Sequence, residues 1–172
     1  GGNNLHRNIL FRGNKNSADQ LMPFSSWQSE DVEKLWAWMG KYEQLTGDRV
    51  LAIPHNSNLS NGRMFESTRF DGSPIDLEYL QSRARWEVLA EVMQTKGNSE
   101  THPGLSPNDE FANYGIAGWE YGNLTLQGEP ESPGMRPFMY LRGGLKQGLK
   151  WDGVLGENPF KFGFIGGSDV HN

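Results

Sequence analysis

Val88-Leu89-Ala90-Glu91-Val92-Met93 is apolar at every position but one, and its reading decides the fold. Such a run suits a strand covered on both faces, the setting of a parallel sheet flanked by helices. Outward from it, strands and helices alternate. Val50-Leu51-Ala52-Ile53 reads as an earlier strand stopped by Pro54, Phe162-Gly163-Phe164-Ile165 as a later buried one, and Arg7–Phe11 as a short strand near the start. A helix is predicted from Glu30 to Thr46, capped by Ser29 and ended by Gly47, with Val32, Leu35, Trp36, Met39 and Tyr42 on one face. Ser73-Pro74 opens a second helix that turns Leu77, Leu80 and Ala84 inward. A third, over about Arg136–Lys150, carries Phe138, Leu141, Leu145 and Leu149 and is weakened by Gly143, Gly144 and Gly148. This order predicts an α/β fold of parallel β/α units joined by right-handed crossovers. Residues 97–134 have no period; they read as a long loop excursion in one domain, in which Tyr114, Trp119 and Tyr121 need burial.

Bulk properties remove several function classes. The chain has 172 residues and a net charge of −5, so it carries no basic footprint for nucleic acid. No apolar run is long enough to span a bilayer. With 0 Cys, any metal must sit on His, Asp or Glu. Composition leaves the compartment open, whether cytoplasmic or periplasmic.

The chemistry-bearing residues gather where strands end. In parallel α/β folds ligands collect at the C-terminal ends of strands. His55 follows the strand ending at Pro54, and Asp169-Val170-His171 follows the last strand. Residues two apart at a strand exit project to one side, so Asp169 and His171 form a pair of donors. With His55 they make an N,N,O set of the kind Zn, Mn or Fe accepts. Composition alone yields an Asp-x-His about one time in five, so the pair gains its weight from His55. Glu91 is a lone carboxylate in an apolar strand, and a buried charge needs a partner: a metal, a His, a cationic group or an Arg from a neighbouring helix. Lys96, Glu100 and His102 follow in a Gly-containing loop placed to contact substrate, against the alternative of a solvated polar loop; Glu91, Lys96 and His102 are the candidates to position substrate or relay a proton. Asn56 and Asn58 are placed to orient His55 or hold substrate, against the alternative of ordinary turn chemistry. Gly143-Gly144-Leu145-Lys146 lacks the spacing of a phosphate-binding loop, no nucleophilic Ser or Cys motif is present, and Ser168 reads as a loop former.

Pro54-His55-Asn56, Glu91 within Ala-Glu-Val-Met-Gln, and Gly-Gly-Ser-Asp169-Val-His171 together resemble the later motifs of the PHP (polymerase and histidinol phosphatase) superfamily of metallohydrolases. Longer segments, Leu51–Gly62, Lys96–Pro103, Leu105–Phe111 and Asn158–Ile165, are similar to a bacterial PHP-like family known only as a domain of unknown function. The resemblance implies the C-terminal part of a distorted β/α barrel, with His55, Asp169 and His171 as metal ligands and Glu91 substrate-facing or behind a ligand. It implies a metal-dependent hydrolase acting on a small-molecule phosphoester or related ester. The opening His-x-His strand of that superfamily is missing, and His6 in Asn-Leu-His-Arg does not replace it. The chain is therefore expected to be a fragment, inactive alone, whose exposed sheet edges favour a homo-oligomer. The alternative is a non-catalytic binding or interaction module built on the same fold.

Overall fold

The computed structural model describes residues 4–117 and 132–170. Trp119, Tyr121 and His171 lie outside the described residues. Among the described residues five strands and four α-helices follow in the order β1 Arg7–Phe11, α1 Lys15–Ala18, α2 Val32–Thr46, β2 Val50–Pro54, α3 Leu77–Trp86, β3 Leu89–Gln94, β4 Gly97–Asn98, α4 Leu141–Leu155 and β5 Gly163–Gly166. The class is α/β, with small sheets and no closed barrel among the described residues.

The direction of the strands departs from the all-parallel expectation. β1 runs antiparallel to β2, with Arg7 opposite Pro54 and Phe11 opposite Val50. β3 pairs in parallel with β5 and antiparallel with β4, giving the order β4-β3-β5. The β3–β4 connection is the two-residue turn Thr95-Lys96, too short for anything but a hairpin. β2 packs beside β3, so the two small sheets adjoin. β5 is not buried as expected: Phe164 is 53% exposed, because β5 has β3 on one side only among the described residues.

Helix α2 forms as its periodicity predicts, with Leu35, Trp36, Met39 and Tyr42 buried and Gly47 closing it at φ 72°. Its cap is Asp31 rather than Ser29: the Asp31 carboxylate accepts the Glu33 N–H at 2.9 Å, while Ser29 Oγ, two residues earlier, accepts the Asp31 N–H. Helix α3 starts later than Ser73-Pro74, since Asp76 is its cap and Pro74 bridges back to Thr68. That shift leaves Leu77 exposed and turns Tyr79, Leu80, Arg83 and Trp86 inward. Leu149 of α4 is likewise exposed, and the buried face is Leu141, Gly143, Gly144 and Gly148. Those glycines are contact points: a Cβ would lie 2.2 Å from the Pro137 carbonyl oxygen at Gly143 and 2.1 Å from Asn158 Oδ1 at Gly148. Tyr114 is exposed as well.

Two apolar clusters form the core. One joins α2, β2 and α3 through Trp36, Met39, Tyr42, Tyr79 and Leu80; the other sets Met64, Phe65, Ala90, Leu141, Phe160 and Phe162 under β3. Between β1, α2 and α3 runs a buried ionic network. Glu87 accepts from Arg7 Nε at 2.9 Å and Trp36 Nε1 at 3.3 Å, and forms an ion pair with Arg83 Nη2 at 3.0 Å. Arg83 also reaches the Met64 carbonyl and the Tyr79 hydroxyl and stacks 4.9 Å over Phe160. No described helix is long and apolar enough to cross a membrane.

Candidate functional site

β2, β3 and β5 bring four of the expected residues together. His55 leaves β2, its backbone N–H held by the His6 carbonyl at 3.0 Å. Glu91 lies in β3 beside Ile165 of β5. Asp169 follows β5, and Lys96 sits in the β3–β4 turn. His55 and Glu91 are 5% and 4% exposed, so their charges and polar atoms depend on one another. Glu91 Oε2 contacts His55 Nδ1. On the far side of the ring, Asp169 Oδ2 stands 3.3 Å from His55 Nε2. The same Asp169 oxygen accepts from Lys96 Nζ and from Gln94 Nε2, the latter at 3.2 Å.

Local backbone chemistry sets these positions. Gly167 passes so close to Glu91 that a Cβ there would meet Oε1 at 2.7 Å. Asp169 has φ 51° and Asn56 φ 56°, both in the left-handed region that Asn and Asp tolerate better than other side-chain-bearing residues. The Thr95 N–H donates to the Ser168 carbonyl at 3.3 Å, and the Gly167 N–H to the Met93 carbonyl at 3.2 Å, fastening the Asp169 loop to the hairpin.

The other expected residues have different neighbours. Asn58 is fully buried; its Oδ1 accepts the Ser99 hydroxyl at 2.9 Å and its Nδ2 donates to the Lys96 carbonyl at 3.2 Å. It is thus a strut between the two site loops, not an open substrate contact. Asn56 is buried, and its Oδ1 has no partner among the described residues. Glu100 Oε1 accepts from Arg142 at 2.7 Å, with the side chain half exposed. His102 Nδ1 accepts the Gly104 N–H at 3.0 Å, with its ring against Tyr140.

Three residues at the site were missed from the sequence. Asn8 Nδ2 lies 3.5 Å from His55 Nδ1, Gln94 reaches Asp169, and His6, just before β1, accepts the His55 N–H on its carbonyl. Partial burial holds the His6 imidazole below the usual histidine range, helped by repulsion from His55, Lys96 and Arg7. For Asn8 and His6 the signal lay in the pairing of β1 with β2, since antiparallel partners share a face.

Chemically, His55 is the centre. With Nδ1 bonded to Glu91, Nε2 faces a second carboxylate, and two acceptors at that separation need a proton or a cation between them. Among the described residues no group of three or more His, Asp or Glu is disposed to hold a metal ion. Glu91 sits on the opposite ring nitrogen from Asp169, so the described donors that share one point are His55 Nε2 and Asp169 Oδ2.

A family model described as a protein of unknown function (DUF3604) matches residues 1–172. No curated protein and no solved structure matches the chain.

Proposed function

The chain belongs to the DUF3604 family, and from that premise we propose that it carries part of the site of a PHP-like metal-dependent hydrolase acting on phosphoesters or related esters. A family defined without a function leaves the reading to the site itself. The observation that carries it is the two-sided engagement of His55. Two ligands each about 2.0–2.1 Å from a tetrahedral ion stand about 3.3–3.4 Å apart, and His55 Nε2 and Asp169 Oδ2 are 3.3 Å apart. A carboxylate on the other ring nitrogen is the usual support of a metal-bound imidazole, since it fixes the tautomer and the ring orientation. Glu91 takes that part. In this reading His55 and Asp169 hold the ion together with His171, and the ion is Zn, Mn or Fe.

A bound divalent ion supplies Lewis acidity, acidifying water and stabilising developing negative charge. The chain's own residues do the rest. Glu91 keeps a proton on His55 Nδ1 so that Nε2 offers its lone pair. Gln94 and the loop fastened by Thr95 hold Asp169 toward His55. The preference for phosphoesters rests on the superfamily resemblance alone.

The test is metal retention followed by turnover. The chain, loaded separately with Zn, Mn and Fe(II) and passed through gel filtration, is expected to keep metal by elemental mass spectrometry. His55→Ala, Asp169→Ala and His171→Ala each lower the occupancy. Unchanged occupancy in the His55 variant sinks the ligand assignment. A phosphatase and phosphodiesterase panel on the loaded protein tests the reaction class, and inactivity with all three metals counts against hydrolysis.

The second reading is a non-catalytic binding module. It is favoured by Lys96, which supplies Asp169 with a positive charge from within the chain. It predicts a folded protein that retains no metal at all.

A further inference from the structure

The feature that carries furthest is the Lys96 ammonium. Asp169 Oδ2 faces His55 Nε2, yet the same oxygen already accepts from Lys96 Nζ. The backbone around Lys96 is fixed: its N–H is held by Gln94 Oε1, and its carbonyl accepts from the buried Asn58 amide. The neighbouring Thr95 N–H binds the loop that carries Asp169. The turn therefore aims the side chain at Asp169, and only 22% of that side chain is exposed.

We propose that Lys96 is a tethered cation competing with the metal ion for Asp169, so that metal entry displaces the ammonium and Lys96 sets how tightly the ion is held. This rests on the reading of His55 and Asp169 as metal ligands. An ammonium and a dication on one carboxylate oxygen repel each other at short range in a largely desolvated site. Lysine's long stem lets the ammonium swing away while the anchored backbone stays in place. Gln94, neutral and bonded to the same oxygen, has no such conflict with an ion.

Zn²⁺ alone is titrated calorimetrically into the wild-type chain and into Lys96→Met, Lys96→Arg and Asp169→Asn, with circular dichroism checking each fold. Lys96→Met keeps the stem and removes the charge; it is expected to bind Zn²⁺ about tenfold or more tighter than wild type. Lys96→Arg keeps the charge and binds no tighter than wild type. A second readout uses wild type only: brief labelling with limiting acetic anhydride, read by mass spectrometry, rises at Lys96 when Zn²⁺ is added and stays level at the exposed Lys146. Measurable Zn²⁺ binding that is equal in wild type and Lys96→Met, with Lys96 labelling unmoved, overturns the proposal and leaves the metal reading standing. Absence of Zn²⁺ binding in every variant, Lys96→Met included, overturns both.

Discussion

At the residue scale, the site turns on the partner of one buried carboxylate. Glu91 touches His55 Nδ1 and little solvent. If it orients a metal-ligating imidazole, Glu91→Gln weakens metal affinity by about 10–100-fold, the usual cost of losing such a supporting group. Calorimetric titration checks this, and an unchanged affinity would remove Glu91 from the site's chemistry. The need for a partner was legible in the sequence, because an unpaired charge in an apolar strand is costly. That the partner is His55 was among the stated options. The expectation of a helix-borne Arg suits Glu87 instead, four residues earlier, which Arg83 meets from α3. Asn58 was less legible: the same amide serves as a loop strut or a substrate contact, and only its burial decides between them.

At the element scale, α4 shows what a periodicity scan does not see. Large apolar residues draw attention, yet Leu149 faces solvent and the packing face is made of glycines. A glycine contributes there by the absence of a side chain, and absence has no hydropathy. Gly143→Ala is therefore expected to destabilise the protein by about 1–3 kcal/mol through overpacking, because its Cβ meets the Pro137 backbone. Gly153, in the same helix with nothing within 4 Å of its Cβ, behaves oppositely: alanine there gains about 0.5–1 kcal/mol of helix propensity. Thermal melts of the two variants should move in opposite directions, and a stabilised Gly143→Ala would refute the contact. By contrast α2 was legible almost to its ends, since its four-residue apolar face and its closing Gly47 act locally.

At the scale of the whole molecule, the Arg7–Glu87–Arg83 network ties β1, α2 and α3 into one body. Burial pushes the Glu87 carboxyl up, but Arg7, Arg83 and the hydrogen bonds from Arg7 and Trp36 outweigh it, and the net position is below the usual carboxylate range. A carboxyl lowered on folding contributes stability that is complete above its unfolded value and is lost as pH falls through its folded one. Glu87→Gln is expected to cost about 3–5 kcal/mol near neutrality by leaving buried guanidinium groups unpaired. The difference from wild type narrows as pH falls below the ordinary glutamate range. Urea melts at a series of acid pH values test this; a constant difference across them would contradict it. The side of β5 that has no strand partner among the described residues, and the exposed Phe164, predict association between copies, which concentration-dependent light scattering would show and a monodisperse monomer would deny. Strand direction was the least legible property at this scale. Pattern fixes which face of a strand is covered, while the direction of a neighbour depends on contacts distant in sequence.

Asp169 joins its carboxylate to a backbone turned to φ 51°, and together these constrain how the position can change over generations. The residues at ease in that conformation are Gly, Asn and Asp, and of these only Asp carries a negative charge. Asn, Gly and Glu codons each lie one nucleotide from an Asp codon, and the single steps among these that suit the loop's backbone delete the carboxylate. Glu keeps the charge but brings a longer side chain to a backbone that does not favour it. The position has no graded neighbours: a lineage either retains the carboxylate whole or keeps a well-folded loop without one.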